Sequence, residues 1–341
     1  MRVFVSGRDG VGWALDVQRQ CVLDSLGRLG HRVASNPLLA NVVVVVNWTR
    51  LAQQRWAQLL KIKKSLVLAT SWIDLDDPDY GLRREFDGVK PLASAWISPS
   101  HRQQALFARH GLRSFYQPFY VEDVFFRTDR PSKQELCARL GIDYSKIEGR
   151  VVLASIQRDT QGSDLITPKW QKGPELLVDL VAALPDRDKY VLLLSGPRRH
   201  YVLDRCRKEG IPYVYAGREP GPEEDDVRTN LLAAELVPLL YQLTDVYLVT
   251  SRSEGGPKAV MECALLRTFI LSTDVGLAPD FLAPECVFRD QAAYAAALRT
   301  AVEGFHTSHV GDLIERHYRK AFEVMNPSNM DALLQSALEG V

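Results

Sequence analysis

The stretch 245–273, "DVYLVTSRSEGGPKAVMECALLRTFILST", decides the fold. An apolar run ends near Ser251, a Gly255-Gly256-Pro257 turn follows, then an apolar-rich helix, then a second apolar run. Two short buried strands joined through a helix make a parallel pair with a crossover. Pro257 suits the first helical turn, where its missing N–H costs nothing. The glycines allow close backbone approach, and the unpaired N–H groups with the helix dipole favour an anion or a sugar hydroxyl. Glu254 falls just before the helix and Glu262 about one and a half turns inside it. Two carboxylates at different depths can each grip a pair of vicinal hydroxyls. The plainer alternative makes Glu254 a helix cap and puts Glu262 on a solvated face.

Outward from this stretch the same alternation continues. "RVFVS" (2–6), "NVVVVVN" (41–47), "SLVLATS" (65–71) and "SAWISPS" (94–100) read as buried strands, as do "YVLLLSG" (190–196) and "PYVYAG" (212–217). Amphipathic helical patterns lie between them, which predicts an α/β chain with parallel sheets. At 341 residues the chain suits two domains. A charged segment at 126–150 marks the break, giving domains 1–145 and 146–317 with a cleft at the carboxyl ends of both sheets. A terminal helical part, 318–341, broken at Asn326-Pro327, is expected to pack back on the first domain.

Lysine plus arginine equals aspartate plus glutamate at 42 each, so no global field favours nucleic acid. Five scattered cysteines without a CxxC pair argue for thiols in a reducing compartment, against zinc or a disulfide framework. The start is a strand and turn rather than a signal segment, and no apolar run approaches the roughly 18 residues of a membrane span. The expectation is a soluble cytoplasmic protein. Residues 50–66, "RLAQQRWAQLLKIKKSL", form a basic amphipathic stretch: a crossover helix with one face in water, or a peripheral membrane contact.

The segment 251–282, "SRSEGGPKAVMECALLRTFILSTDVGLAPDFL", resembles the signature of the retaining GT-B glycosyltransferases of glycosyltransferase family four, with its E-x7-E spacing intact at Glu254 and Glu262. "VLDSLGRLGHRV" (22–33), the run from "WISPSHRQQALFARHGL" (96–112) to "FYQPFYVEDVFF" (115–126), "KQELCARLGID" (133–143) and "QKGPELLVDLVAAL" (171–184) follow the family's order. The resemblance implies two Rossmann-like domains, acceptor in the first and nucleotide-sugar donor in the second. It implies that Glu254, with Gly255, Gly256 and Pro257, holds the donor sugar, and that Glu262 holds the ribose. Arg158 and Lys172 take the places of the cations on the donor diphosphate, a job that needs no metal and no cofactor. Thirteen residues separate them, an insertion relative to the family, and Lys169 is the fallback for Lys172. Gly10 and Gly12 match the glycine loop near donor and acceptor, with Arg8 as an added cation. Arg198 and Arg199 read as solvated.

The first domain departs from the family. Where many members carry a histidine close to the transferred sugar, this chain has Ser71-Trp72. Trp72 and Asp74 are therefore assigned to the acceptor side. Asp74 and Asp76 have the D-x-D spacing of a metal site, a reading disfavoured by the GT-B-like second half. The expected reaction is transfer of a hexose from a nucleoside diphosphate to an acceptor hydroxyl of a saccharide, lipid-linked or small molecule, with retained configuration. UDP is favoured on family frequency; GDP and ADP stay open. Two alternatives stand beside it: a hydrolase or epimerase on the same scaffold, and a catalytically inactive nucleotide-sugar binder.

Overall fold

The computed structural model describes residues 1–7, 14–161 and 164–341; the expected roles of Arg8, Gly10 and Gly12 lie outside the described residues. The chain divides into two compact units, one of Met1–Glu122 with Glu254–Lys258 and Phe322–Val341, the other of Asp123–Ser253 with Ala259–Ala321.

The first unit carries six parallel strands: β1 (Arg2–Ser6), β2 (Arg32–Val33), β3 (Val42–Val45), β4 (Lys64–Leu68), β5 (Ala95–Ser98) and β6 (Ser114–Tyr116). Their order is β2-β1-β3-β4-β5-β6, the flavodoxin-like arrangement, whose topological switch point lies between β1 and β3. The β-branched run of β3 is buried at every residue, as a strand covered on both faces must be. Beside the sheet, Trp96 meets Trp48 at 6.2 Å, Phe86 at 5.5 Å and Phe107 at 5.3 Å between ring centres. At the switch point Gly7 adopts φ +104°, and a Cβ there would stand 2.5 Å from the Asn47 nitrogen. Only glycine fits both constraints.

Residues 50–66 do not form the amphipathic helix that their pattern suggested. Two 3₁₀ segments, Trp48–Gln53 and Ala57–Lys61, bury Leu51, Ala57 and Leu60, and Lys64 already begins β4. The apolar residues serve the core of the first unit, which leaves no continuous apolar helix face for a bilayer. No helix among the described residues is long and apolar enough to cross a membrane.

The terminal helices Ser308–Met325 and Pro327–Glu339 are separated at Asn326, whose side chain accepts from the Asn329 N–H at 3.0 Å. The second of them packs on the helix Ala14–Arg28 within the first unit. Asp331 accepts from Ser25 Oγ at 2.5 Å and from Arg28 Nε at 2.7 Å and Nη2 at 2.8 Å. Burial raises its pKa, but the hydrogen bonds from Arg28 and Ser25 outweigh it and hold the carboxyl below 3.8. A depressed carboxylate contributes stability above its unfolded value, and that contribution is lost as pH falls through the folded one. Asp331→Asn should cost about 1.5–3 kcal/mol at neutral pH, in the range of hydrogen bonds to a charged group. Urea titrations should show this deficit shrinking as the pH drops below 4.

The second unit carries β7 (Val151–Ala154), β8 (Tyr190–Ser195), β9 (Tyr213–Ala216), β10 (Val246–Val249), β11 (Phe269–Thr273) and β12 (Val287–Phe288), all parallel in the order β12-β11-β10-β7-β8-β9. This is the Rossmann order, with its switch point between β7 and β10. The helix Lys133–Leu140 opens on a Ser132/Glu135 capping box and ends at Gly141, φ 68°. It packs on the helix Val237–Leu243, and Lys133 pairs with Asp245. Residues 123–145, which the sequence placed in the first domain, thus pack with the second unit.

Candidate active site

Ligands of open α/β sheets bind beyond the carboxyl ends of the strands at the switch point, here after β7 and β10. β7 runs out through Ser155, Ile156 and Gln157 to Arg158. Gln157 donates through Nε2 to the Lys172 carbonyl at 3.0 Å. The same carbonyl receives the Thr250 hydroxyl, from the end of β10, at 3.3 Å. Both cations assigned to the diphosphate thus depart from the backbone at one switch point, despite the thirteen intervening residues. The insertion is an excursion that returns: Thr160 and Pro168 form an isolated antiparallel bridge, and the Lys169 N–H donates to the Asp159 carbonyl at 2.5 Å. Gly173 then turns the chain into the helix Pro174–Ala182 with φ +57°, and a Cβ there would lie 2.1 Å from the Thr250 carbonyl oxygen.

Arg158 is half-buried, and its pKa is lowered first by that burial and then by the charge of Arg198. Arg198 pairs with Asp225 at 2.7 Å. The neighbouring arginine overturns a reading of the sequence: Arg199 is not solvated but wholly buried, 3.1 Å from the equally buried Asp159. Arg199 also donates through Nη1 to the Ser155 carbonyl. Asp159 receives the Val202 N–H at 3.3 Å and gives its own N–H to the Arg198 carbonyl at 3.0 Å. The Arg199 Nε contact is off hydrogen-bond alignment, so Nε, Nη2 and Asp159 Oδ1 have no hydrogen-bond partner. Burial pushes the Asp159 carboxyl up to about 6 against the pull of Arg199. This pair ties the loop bearing Arg158 to the end of β8. A doubled arginine in a loop carries no sign of which member turns inward, so sequence reasoning missed it.

Glu262 lies inside the helix Lys258–Leu265 and is buried, which removes the solvated-face alternative. Its Oε2 accepts from the Tyr241 hydroxyl at 3.0 Å. Burial first, then the charge of Glu262, lifts the Tyr241 pKa well above its ordinary value, so the phenol stays a donor. Tyr241 was not singled out in the sequence; an apolar helix context, "LVPLLYQLT", hid it.

The segment Glu254–Lys258 packs with the first unit. A Cβ on Gly255 would stand 2.8 Å from the Ser71 carbonyl carbon, so the glycine is required by close backbone approach. Gly256 and Pro257 are buried, Glu254 is half-buried and Lys258 stands 3.9 Å from Glu122. Gly255 therefore meets Ser71-Trp72, the place where the sequence departs from the family it resembles. Trp72 donates through Nε1 to Asp74 Oδ2 at 3.1 Å, while Asp74 Oδ1 receives the N–H groups of Asp76 and Asp77, both at 3.2 Å. The Arg102 guanidinium lies 5.2 Å from the Trp72 ring centre. Asp76 turns to Arg109 and His110 at 2.6 and 2.8 Å. The two D-x-D carboxylates are thus engaged in different local contacts, and no group of three or more potential metal ligands occurs among the described residues.

The two parallel six-stranded sheets define the GT-B fold. The chain matches no known family profile. It is similar to HepE from Anabaena, solved in complex with UDP, with a TM-score of 0.71 and 13% identity over 100% of both chains. It is also similar to the sucrose-phosphate synthase of Thermosynechococcus elongatus, with a TM-score of 0.73 and 14% identity over 99% of this chain and 98% of that one. In sequence it is 25% identical over 197 residues to the putative teichuronic acid biosynthesis glycosyltransferase TuaC of Bacillus subtilis, spanning 58% of this chain and 42% of that protein.

Proposed function

We propose that the chain is a glycosyltransferase of the retaining family-four type that uses a UDP-sugar. The observation that carries this reading is the buried Glu262 carboxylate, held by the Tyr241 hydroxyl beside a switch point where Lys172 is anchored. Glu262 accepts from the ribose hydroxyls, Arg158 and Lys172 neutralise the diphosphate, and Glu254 with the Gly255-Gly256 backbone and Pro257 orients the sugar. An acceptor hydroxyl attacks the anomeric carbon on the face that the diphosphate leaves. The new C–O bond forms as the C–O bond to phosphate breaks, and the hydroxyl proton passes to the departing phosphate oxygen. The two cations stabilise the leaving charge, so no metal enters the scheme. UDP complexes of HepE and the naming of TuaC support the donor and reaction class.

The test is calorimetric titration with UDP, GDP and ADP, each with and without EDTA. UDP should bind in both conditions. Glu262→Ala should weaken it about 10- to 100-fold, in line with about 1.5–3 kcal/mol for hydrogen bonds to a charged group. Glu254→Ala should retain UDP and lose turnover. Binding of none of the three nucleotides would sink the donor assignment. Ser71-Trp72 in place of a histidine favours one second reading, a nucleotide-sugar binder without transfer, which predicts UDP-sugar binding with no product over any acceptor panel.

A further inference from the structure

The loops that follow β7 and β9 flank the helix His200–Glu209 and leave a cavity of about 440 Å³. That volume is the size of a small-molecule site. Its apolar walls come from Leu165 and Ile166 in the insertion between Arg158 and Lys172, Leu203 on the helix, and Pro220 with Pro222 after β9. None of the lining residues belongs to the proposed donor site.

Both loops are held in place. Asp164 Oδ1 accepts from the Ile166 and Thr167 N–H groups at 2.7 and 3.2 Å, a turn that fixes Leu165 and Ile166, yet Ile166 stays 82% exposed. The loop after β9 is the acidic run "EPGPEEDD" (219–226), and four of its five acids are engaged. Glu219 pairs with Arg207, Glu224 with Arg218 and Asp225 with Arg198, while Asp226 accepts from the Arg198 N–H at 2.7 Å. His200 donates through Nε2 to the Gly221 carbonyl at 3.2 Å, which ties this loop to the helix.

The charges around the cavity do not cancel. Arg207 is matched by Glu219, and Asp204 by Lys208 at 2.7 Å. Glu223 is exposed at the rim and has no ion-pair or hydrogen-bond partner among the described residues. The buried His200 adds an acceptor to the wall. With Nε2 donating, the Nδ1 of the neutral ring accepts, and it too has no partner. An uncompensated carboxylate and an unmet acceptor beside apolar walls select an ammonium group carried on a hydrocarbon or aromatic body. An anion would meet Glu223 and find Arg207 already taken.

We propose that this cavity binds a small organic cation, its apolar body against Leu165, Ile166, Leu203 and the two prolines and its ammonium toward Glu223. The site stands independently of the donor reading. Methyl NMR of the full chain, labelled at isoleucine and leucine and titrated with tryptamine, tests it. Saturable shifts are expected at Leu165, Ile166 and Leu203, and they should persist with UDP present. Glu223→Gln should weaken the affinity about 2- to 5-fold, the range of an exposed ion pair. Indole-3-acetate, an anion on the same ring, should bind about 4- to 25-fold more weakly than tryptamine, the square of that ratio, because attraction turns to repulsion. Ile166→Ser should weaken tryptamine about 3- to 10-fold, with the thermal midpoint unchanged because the side chain is exposed. No saturable shift at these methyls, equal affinity for indole-3-acetate, or an affinity unchanged by both variants would overturn the proposal. Displacement of tryptamine by UDP would overturn it too and assign the cavity to the nucleotide.

Discussion

Replacing Arg199 by methionine should lower the unfolding free energy by about 3–5 kcal/mol at neutral pH, because it leaves a buried carboxylate without its partner. Both side chains are fully buried, so solvent cannot screen the loss. The Asp159 carboxyl already sits up at about 6, raised by burial and opposed by Arg199. A carboxyl raised in the folded state contributes stability below its unfolded value of 3.8, and loses it as pH rises through the folded value. Without Arg199 the folded value climbs further, the acid becomes neutral over a wider range, and the deficit of Arg199→Met shrinks on acidification. Asp159→Asn is the contrasting arm: the amide does not titrate, so as pH falls through about 6 the unaltered chain gains the stability of its raised carboxyl, the variant does not, and its deficit grows. Urea unfolding of both variants across pH separates the two. A deficit in Arg199→Met below about 1 kcal/mol would show that the pair is not held as described. The double variant Asp159→Leu with Arg199→Met should recover much of the loss, since replacing both ions by apolar groups is often neutral.

Gly173→Ala should be nearly as damaging. The left-handed backbone at φ +57° costs an L-residue about 1–2 kcal/mol, and forcing a methyl into occupied space costs about 1–3 kcal/mol more. The obstacle is the Thr250 carbonyl oxygen, 2.1 Å from the added carbon, and backbone at a strand end cannot swing aside as a side chain would. Relief requires Lys172 to shift away from Gln157 and Thr250. Nucleotide affinity should therefore fall in a variant that still unfolds cooperatively. Gly196→Ala is the control: its φ of +84° is also positive, but its added carbon meets nothing within 4 Å, so it should show backbone strain without the affinity loss.

The sequence made the parallel sheets legible because buried strands such as "VVVVV" and "YVLLLS" are apolar throughout and the helices between them are periodic. The spacing from Glu254 singled out Glu262, which the fold buries against the Tyr241 hydroxyl. The different orders of the two sheets were not legible, since strand adjacency depends on crossovers that local composition does not record. Residues 50–66 misled because helical periodicity and 3₁₀ segments place apolar residues similarly over so few turns, and the pull of the core on Leu51, Ala57 and Leu60 decided the outcome. Arg199 misled for a related reason. Arginine is ordinarily a surface residue, and only the fold supplies Asp159 and the Ser155 carbonyl as its partners.

The docking of the helix Pro327–Glu339 on the helix Ala14–Arg28 has a consequence for biosynthesis. Ser25 and Arg28 are translated some three hundred positions before Asp331, their hydrogen-bond partner. The sheet of the first unit can pair as soon as its strands emerge, but the side covered by that helix stays open until residue 331 has left the ribosome. Throughout that interval the entire second unit is being made. The nascent first unit therefore keeps one side uncovered for longer than its own strands take to emerge, and transiently exposed apolar surface of that kind is aggregation-prone.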